Sequence, residues 1–125
     1  MKRLSRLDDI FDEAPLYFIT ACTADRAPLL ADQASHQAFL EYCGKARSFG
    51  VILGRYVLMP DHLHLFVCIP PGPATLPGWV KSLKNSLSKH WRERGIASPH
   101  WQRNFFDHLV RNHCLLYTSP SPRDS

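Results

Sequence analysis

Two stretches of helical periodicity set among four strand-like stretches, in the order β-α-β-β-α-β, predict an α+β domain. Three observations carry this. Short runs rich in aromatic and β-branched residues begin at Leu16, Val51 and Leu63. Apolar residues recur at helical steps in two longer stretches, after Asp32 and from Leu76. Pro60-Asp61 joins two of the apolar runs so closely that they can only fold back as an antiparallel hairpin. At 125 residues the chain has the size of one domain, and 45% apolar with 21% charged residues excludes disordered and fibrous classes.

In order, residues 1–14 are charged without a sustained period and read as an N-terminal arm. Leu16 to Thr23 follows Pro15 and reads as the first strand, ending near Ala24-Asp25-Arg26. From Asp32, an N-capping residue type, Ala34, Ala38, Phe39, Tyr42, Cys43 and Ala46 mark a first helix that runs toward Gly50. Val51 to Met59 and Leu63 to Ile69 form the hairpin. Pro70-Pro71-Gly72-Pro73 then breaks regular structure. A second helix from about Leu76 to Arg94 puts Trp79, Val80, Leu83, Leu87 and Trp91 on one stripe, with Lys81, Lys84, Asn85, Ser88, Lys89 and Arg92 over much of the rest. After a loop at Gly95 to Pro99, His100 to Asn112 is expected to begin as a fourth strand and turn helical toward its end. Two right-handed crossovers would give the ferredoxin-like arrangement, with both helices on one face of a four-stranded antiparallel sheet.

The chemistry concentrates in the hairpin. His62 and His64 alternate with Leu63 and Leu65, so on a strand both imidazoles leave one face. Such a pair is either a solvated polar face or half of a coordination sphere for a divalent metal. Asp61 beside them could orient an imidazole, but turn chemistry is the favoured reading. The net charge of +4 suits a polyanion partner, and Arg55, Lys81, Lys84, Lys89, Arg103 and Arg111 are the candidates for a phosphate surface, with Lys84 foremost. A solvated helix face is the alternative for the lysines. Gln102 fits a backbone-bonding strand residue; Trp79 and Trp91 fit the core, and Trp101 is open between core and base stacking. Cys22, Cys43, Cys68 and Cys114 form no Cys-x-x-Cys pair and are expected as free thiols. Met1-Lys2-Arg3 leads into polar sequence and no run is long enough for a membrane span, so a cytoplasmic protein is expected.

Three separated blocks carry a resemblance: Tyr17-Phe18-Ile19-Thr20-Ala21-Cys22-Thr23, Tyr56 to Leu65, and Trp101-Gln102-Arg103-Asn104-Phe105-Phe106-Asp107-His108. Together they resemble the IS200-like transposases, and within them the REP-associated tyrosine transposases. The resemblance covers residues 15–112 as the transposase domain. It implies a ferredoxin-like fold and a metal-dependent single-stranded DNA endonuclease and strand transferase acting on hairpin DNA. His62 and His64 match the family's metal pair, with Mg2+ or Mn2+ as the implied ion, and Asp107 and His108 fall in a block that supports the site. Some relatives form dimers, so a monomer or a homodimer is expected. The family's nucleophilic tyrosine sits on a charged helix beyond that block. Here residues 113–125 contain Ser119-Pro120-Ser121-Pro122, which cannot continue a helix, so this segment reads as an irregular, non-native tail. Tyr117 is the tyrosine in that neighbourhood and falls several residues early. Two expectations follow: a transposase working through a 5′-phosphotyrosine, or a catalytically inactive relative that binds metal and hairpin DNA alone.

Overall fold

The computed structural model describes residues 15–111, so the arm expected at 1–14, Asn112 and the tail expected at 113–125 lie outside the described residues. The elements are β1 (Leu16–Cys22), α1 (Gln33–Arg47), β2 (Ile52–Met59), β3 (His62–Cys68), α2 (Leu76–Glu93) and β4 (Phe106–Arg111). They form one sheet of order β2-β3-β1-β4, antiparallel at every pairing. This is the predicted α+β, β-α-β-β-α-β architecture.

Local chemistry explains the helix limits. Asp32 caps α1 by accepting from Ser35 N at 2.9 Å, and it also pairs with Arg94 at 2.8 Å. Thr75 does the same for α2 through Gly78 N at 3.2 Å. Gly50 and Gly95 follow the two helices with φ of 87° and 84°, a backbone region that glycine enters without penalty.

Alternation sorts the strands into two faces. Ile19 and Ala21 of β1 and Leu63, Leu65 and Val67 of β3 join a core with Phe39 and Ala46 of α1 and Leu83, Leu87 and Trp91 of α2. The helices are also tied by polar contacts: Trp91 Nε1 donates to Ser35 Oγ at 2.9 Å, and that hydroxyl donates to Leu29 O at 3.0 Å. The opposite face carries His62, His64, Phe66 and Cys68 of β3 beside Leu16, Phe18, Thr20 and Cys22 of β1. Leu16 and Cys68 make a small second cluster there with Ile52 and Phe66.

β2 reaches this pattern through a bulge. Leu53 pairs with Val67 and Tyr56 with Leu65, so Gly54 and Arg55 together stand opposite Phe66.

The fourth strand departs from expectation. His100 to Phe105 makes only an isolated bridge, Thr23 with Trp101, and the strand occupies Phe106–Arg111, where a helical turn was expected. The reason is non-local. So short a segment is a poor helix on its own, whereas β1 offers it an open edge, pairing Tyr17 with Leu109, Phe18 with His108 and Thr20 with Phe106. The thiol expectation also needs correcting: Cys22 and Cys43 are free, whereas Cys68 is disulfide-bonded. Among the described residues no helix is long and apolar enough to cross a membrane.

Candidate metal centre

The site is built where β1, the Pro60-Asp61 turn and the loop after β1 meet. Thr23, fully buried, donates from its backbone N to Asp61 O at 3.0 Å, and its hydroxyl lies 3.1 Å from the same carbonyl. Leu30 N donates to Pro60 O at 2.9 Å. These bonds clasp the turn, so the first residue of β3 starts from a fixed position.

His62 and His64 leave the open face with ring centroids 4.7 Å apart and planes at 77°. Each ring has a partner at Nδ1. His62 Nδ1 lies 2.8 Å from Asp61 Oδ1, while Asp61 Oδ2 accepts from Arg26 Nε at 2.9 Å. The Arg26 hydrogen bond, and then the His62 one, lower the Asp61 pKa to about 2. An ionised carboxylate only accepts, so His62 Nδ1 carries the hydrogen and the lone pair of the neutral ring sits on Nε2. His64 Nδ1 lies 2.9 Å from Thr20 Oγ1, its neighbour across the β1–β3 pair, and its ring stacks on Phe18 at 5.4 Å and 15°. Burial, and then the neighbouring His62, lower the His64 pKa, which favours the neutral form that binds metals.

The donor set therefore fits a divalent cation as two imidazole ligands, oriented through their second nitrogens. Among the described residues no group of three or more His, Cys, Asp and Glu could hold a metal.

The histidine pair stands out in the sequence, whereas the groups that hold it do not. Thr20, Phe18 and Arg26 were not singled out, and Asp61 was read as a turn residue, whereas its carboxylate bridges Arg26 and His62. Arg26 and its neighbour Asp25 hold φ of 55° and 53°, the left-handed region that non-glycine residues seldom enter.

The basic candidates divide. Lys81, Lys84 and Arg103 line one groove of about 400 Å³ between α2 and the segment before β4, together with Asn85, Trp101 and Phe105. Lys84 is half-buried there: its Nζ donates to Gln102 O at 3.1 Å and Asn104 O at 3.2 Å, and burial lowers its pKa. It lies 5.8 Å from the Trp101 ring and 5.9 Å from Phe105. Lys84 thus holds that segment in place. Gln102 bonds backbone as expected, from its N to Cys22 O at 2.9 Å and its Nε2 to Thr23 O at 3.2 Å, which ties the groove to the end of β1. Lys89 is exposed elsewhere on α2 and Arg55 is exposed at the β2 bulge, so these two do not line the groove; Arg111 is the last residue of β4. His108 stands opposite Phe18. Trp79 and Trp91 are core, and Trp101 is partly exposed against Trp91.

Tyrosine placement bears on the chemistry. Tyr17 packs against the core, Tyr42 Oη donates to Trp79 O at 3.2 Å, and Tyr56 Oη lies 2.9 Å from His36 Nε2. Tyr17 and Tyr56 pair with Val67 and Leu65, residues of the helix-covered face. Tyr117 lies outside the described residues.

Known proteins supply an independent comparison. Residues 15–114 match the family model described as transposase, IS200 like. No curated protein matches the chain. Among solved structures, a REP-associated tyrosine transposase bound to a REP hairpin superposes with a TM-score of 0.62 at 18% identity, over 80% of this chain and 58% of that one. A transposase candidate from Deinococcus radiodurans R1 gives a TM-score of 0.63 at 20% identity, over 78% of this chain and 80% of that one. At such identities the superpositions speak for the fold, and the chain spans little more than half the length of the first structure. The family match runs over most of the chain, and with it the protein belongs to the IS200-like transposases.

Proposed function

We propose that this chain acts on single-stranded, hairpin-forming DNA, cutting and rejoining it on the sheet face that carries His62 and His64. The carrying observation is the pair of imidazoles on an open face, each held by a partner at Nδ1. Family membership supports the reaction class, and the REP hairpin held by one structural relative supports the substrate class.

A divalent cation, Mg2+ or Mn2+ by family usage, would be held by His62 and His64 and would neutralise charge on the scissile phosphate. The chain's own groups do the rest. Asp61 and Thr20 orient the two rings, and the groove cations Lys81 and Arg103 hold the DNA backbone by charge. Lys84 fixes the segment that carries Arg103. In the cleavage step a tyrosine Oη gives up its proton, attacks phosphorus and forms a 5′-phosphotyrosine ester; the P–O3′ bond breaks, and the leaving 3′ oxygen takes a proton. Rejoining reverses these changes, so the bond energy is conserved. Tyr117 is this chain's candidate nucleophile.

A second reading is favoured by the tyrosine positions: the three described tyrosines serve the helix side, so without Tyr117 the chain would bind metal and hairpin DNA and not cut. The deciding experiment incubates a labelled hairpin oligonucleotide with Mg2+ or Mn2+ and resolves covalent protein–DNA product. The transposase reading expects a covalent band that disappears in Tyr117→Phe and in His62→Ala/His64→Ala. Retention of the hairpin without a band establishes the binding module, and absence of hairpin binding overturns both. Sedimentation of the same complex separates a monomer from a homodimer.

A further inference from the structure

We infer that Arg26 and Asp61 are positioning residues of the metal centre: Arg26 anchors the Asp61 carboxylate, which holds His62 in the form that presents Nε2. The inference rests on the metal reading above and assigns roles to two residues outside the ligand pair.

The geometry is a short relay. One carboxylate oxygen takes the Arg26 Nε hydrogen at 2.9 Å and the other lies 2.8 Å from His62 Nδ1. Splitting the two oxygens between two donors fixes the carboxylate plane, and with it the torsion of the His62 ring. Arg26 Nη2 lies 3.5 Å from the same His62 nitrogen, a donor beside a donor in this form, so the partner of that nitrogen is the Asp61 carboxylate. The backbone delivers this contact at a cost. Asp25 and Arg26 are successive non-glycine residues with φ of 53° and 55°. Such backbone persists where surrounding contacts determine it. Here those include Arg26 N to Thr23 O at 3.2 Å and Ala27 N to Ala24 O at 3.1 Å, within the same loop that clasps the Pro60-Asp61 turn.

His64 is held differently, by a neutral hydroxyl and an aromatic face. The relay is therefore specific to His62, and that specificity makes it testable. Nitrogen-15 NMR of histidine-labelled protein reads the tautomer of each ring without any metal. In the wild type His62 is expected as the Nδ1–H form. Asp61→Ala should return it toward the Nε2–H form that a free imidazole favours, and Arg26→Gln should do so in part, with His64 unmoved in both. Mn2+ titration of the same proteins should show affinity falling by about 10- to 100-fold in Asp61→Ala, with a smaller loss in Arg26→Gln. Arg26→Gly removes the guanidinium while relaxing the backbone, so it should melt above Arg26→Gln yet lose Mn2+ affinity as Arg26→Gln does.

An unchanged His62 tautomer in folded Asp61→Ala, or Mn2+ affinity equal to wild type in that variant, overturns the proposal. If wild type itself takes up no Mn2+, that result counts against the metal reading, and the tautomer measurement still decides the relay.

Discussion

On one face of β3, Leu63, Leu65 and Val67 are wholly buried among side chains from α1 and α2; on the other, His62 and His64 share a surface with Phe18, Val57 and Met59. Val57 and Met59 are 52% and 42% exposed, so that second surface is far less covered. The two faces belong to the same residues in alternation. From His62 to Leu65, core packing and the open histidine surface are thus assigned to odd and even positions of a single strand, and changes on one face should leave the other largely intact.

The strongest way to break that division is Leu65→Ala. Loss of a fully buried leucine should destabilise the domain by about 2–5 kcal/mol, read from urea unfolding, whereas Val57→Thr on the open face should stay within about 0.5 kcal/mol. Equal losses would mean that the open face carries core weight after all.

Next in size is Lys84→Met. The ammonium satisfies two carbonyls of the segment before β4, and its removal should cost about 1–2 kcal/mol by thermal unfolding, together with weaker DNA retention as the groove loosens. DNA retention lost at unchanged stability would instead make Lys84 a direct phosphate ligand.

The smallest effect concerns acid. Asp61 is held at about 2 from an ordinary 3.8 by Arg26 and then His62, so the unfolded chain takes up its proton first as pH falls. Its contribution is complete above 3.8 and is lost as pH falls through about 2. Asp61→Asn should therefore melt below wild type at neutral pH, with the gap in Tm closing across that acid window.

What could be read from sequence follows from how local each signal is. The hairpin, both helices and the His62–His64 pair rest on spacings within a few residues, and the structure places them within a residue or two of expectation. The supports of the site are another matter. Thr20 meets His64 across a strand pair, and Arg26 meets Asp61 from a loop far away in the chain. No local pattern announces a cross-strand register or a left-handed loop. The fourth strand was misplaced for the same reason: Phe106–Arg111 is a strand because β1 has an edge to pair. Lys84 looked like a surface cation because the carbonyls it satisfies come from a segment whose path is set by that pairing.

The bulge at Gly54-Arg55 governs parity. Before it, Leu53 points to the helices; after it, Tyr56 and Leu58 do, an odd step where an unbroken strand allows only even ones. Removing one of the two bulge residues without moving the turn would leave a single residue opposite Phe66, with Leu53 still opposite Val67 and Tyr56 still opposite Leu65, so both faces would be kept. The bulge is thereby one residue of slack in the hairpin: losing it regularises the ladder and preserves the assignment of faces, whereas a one-residue slip of the regular stretch after it inverts them.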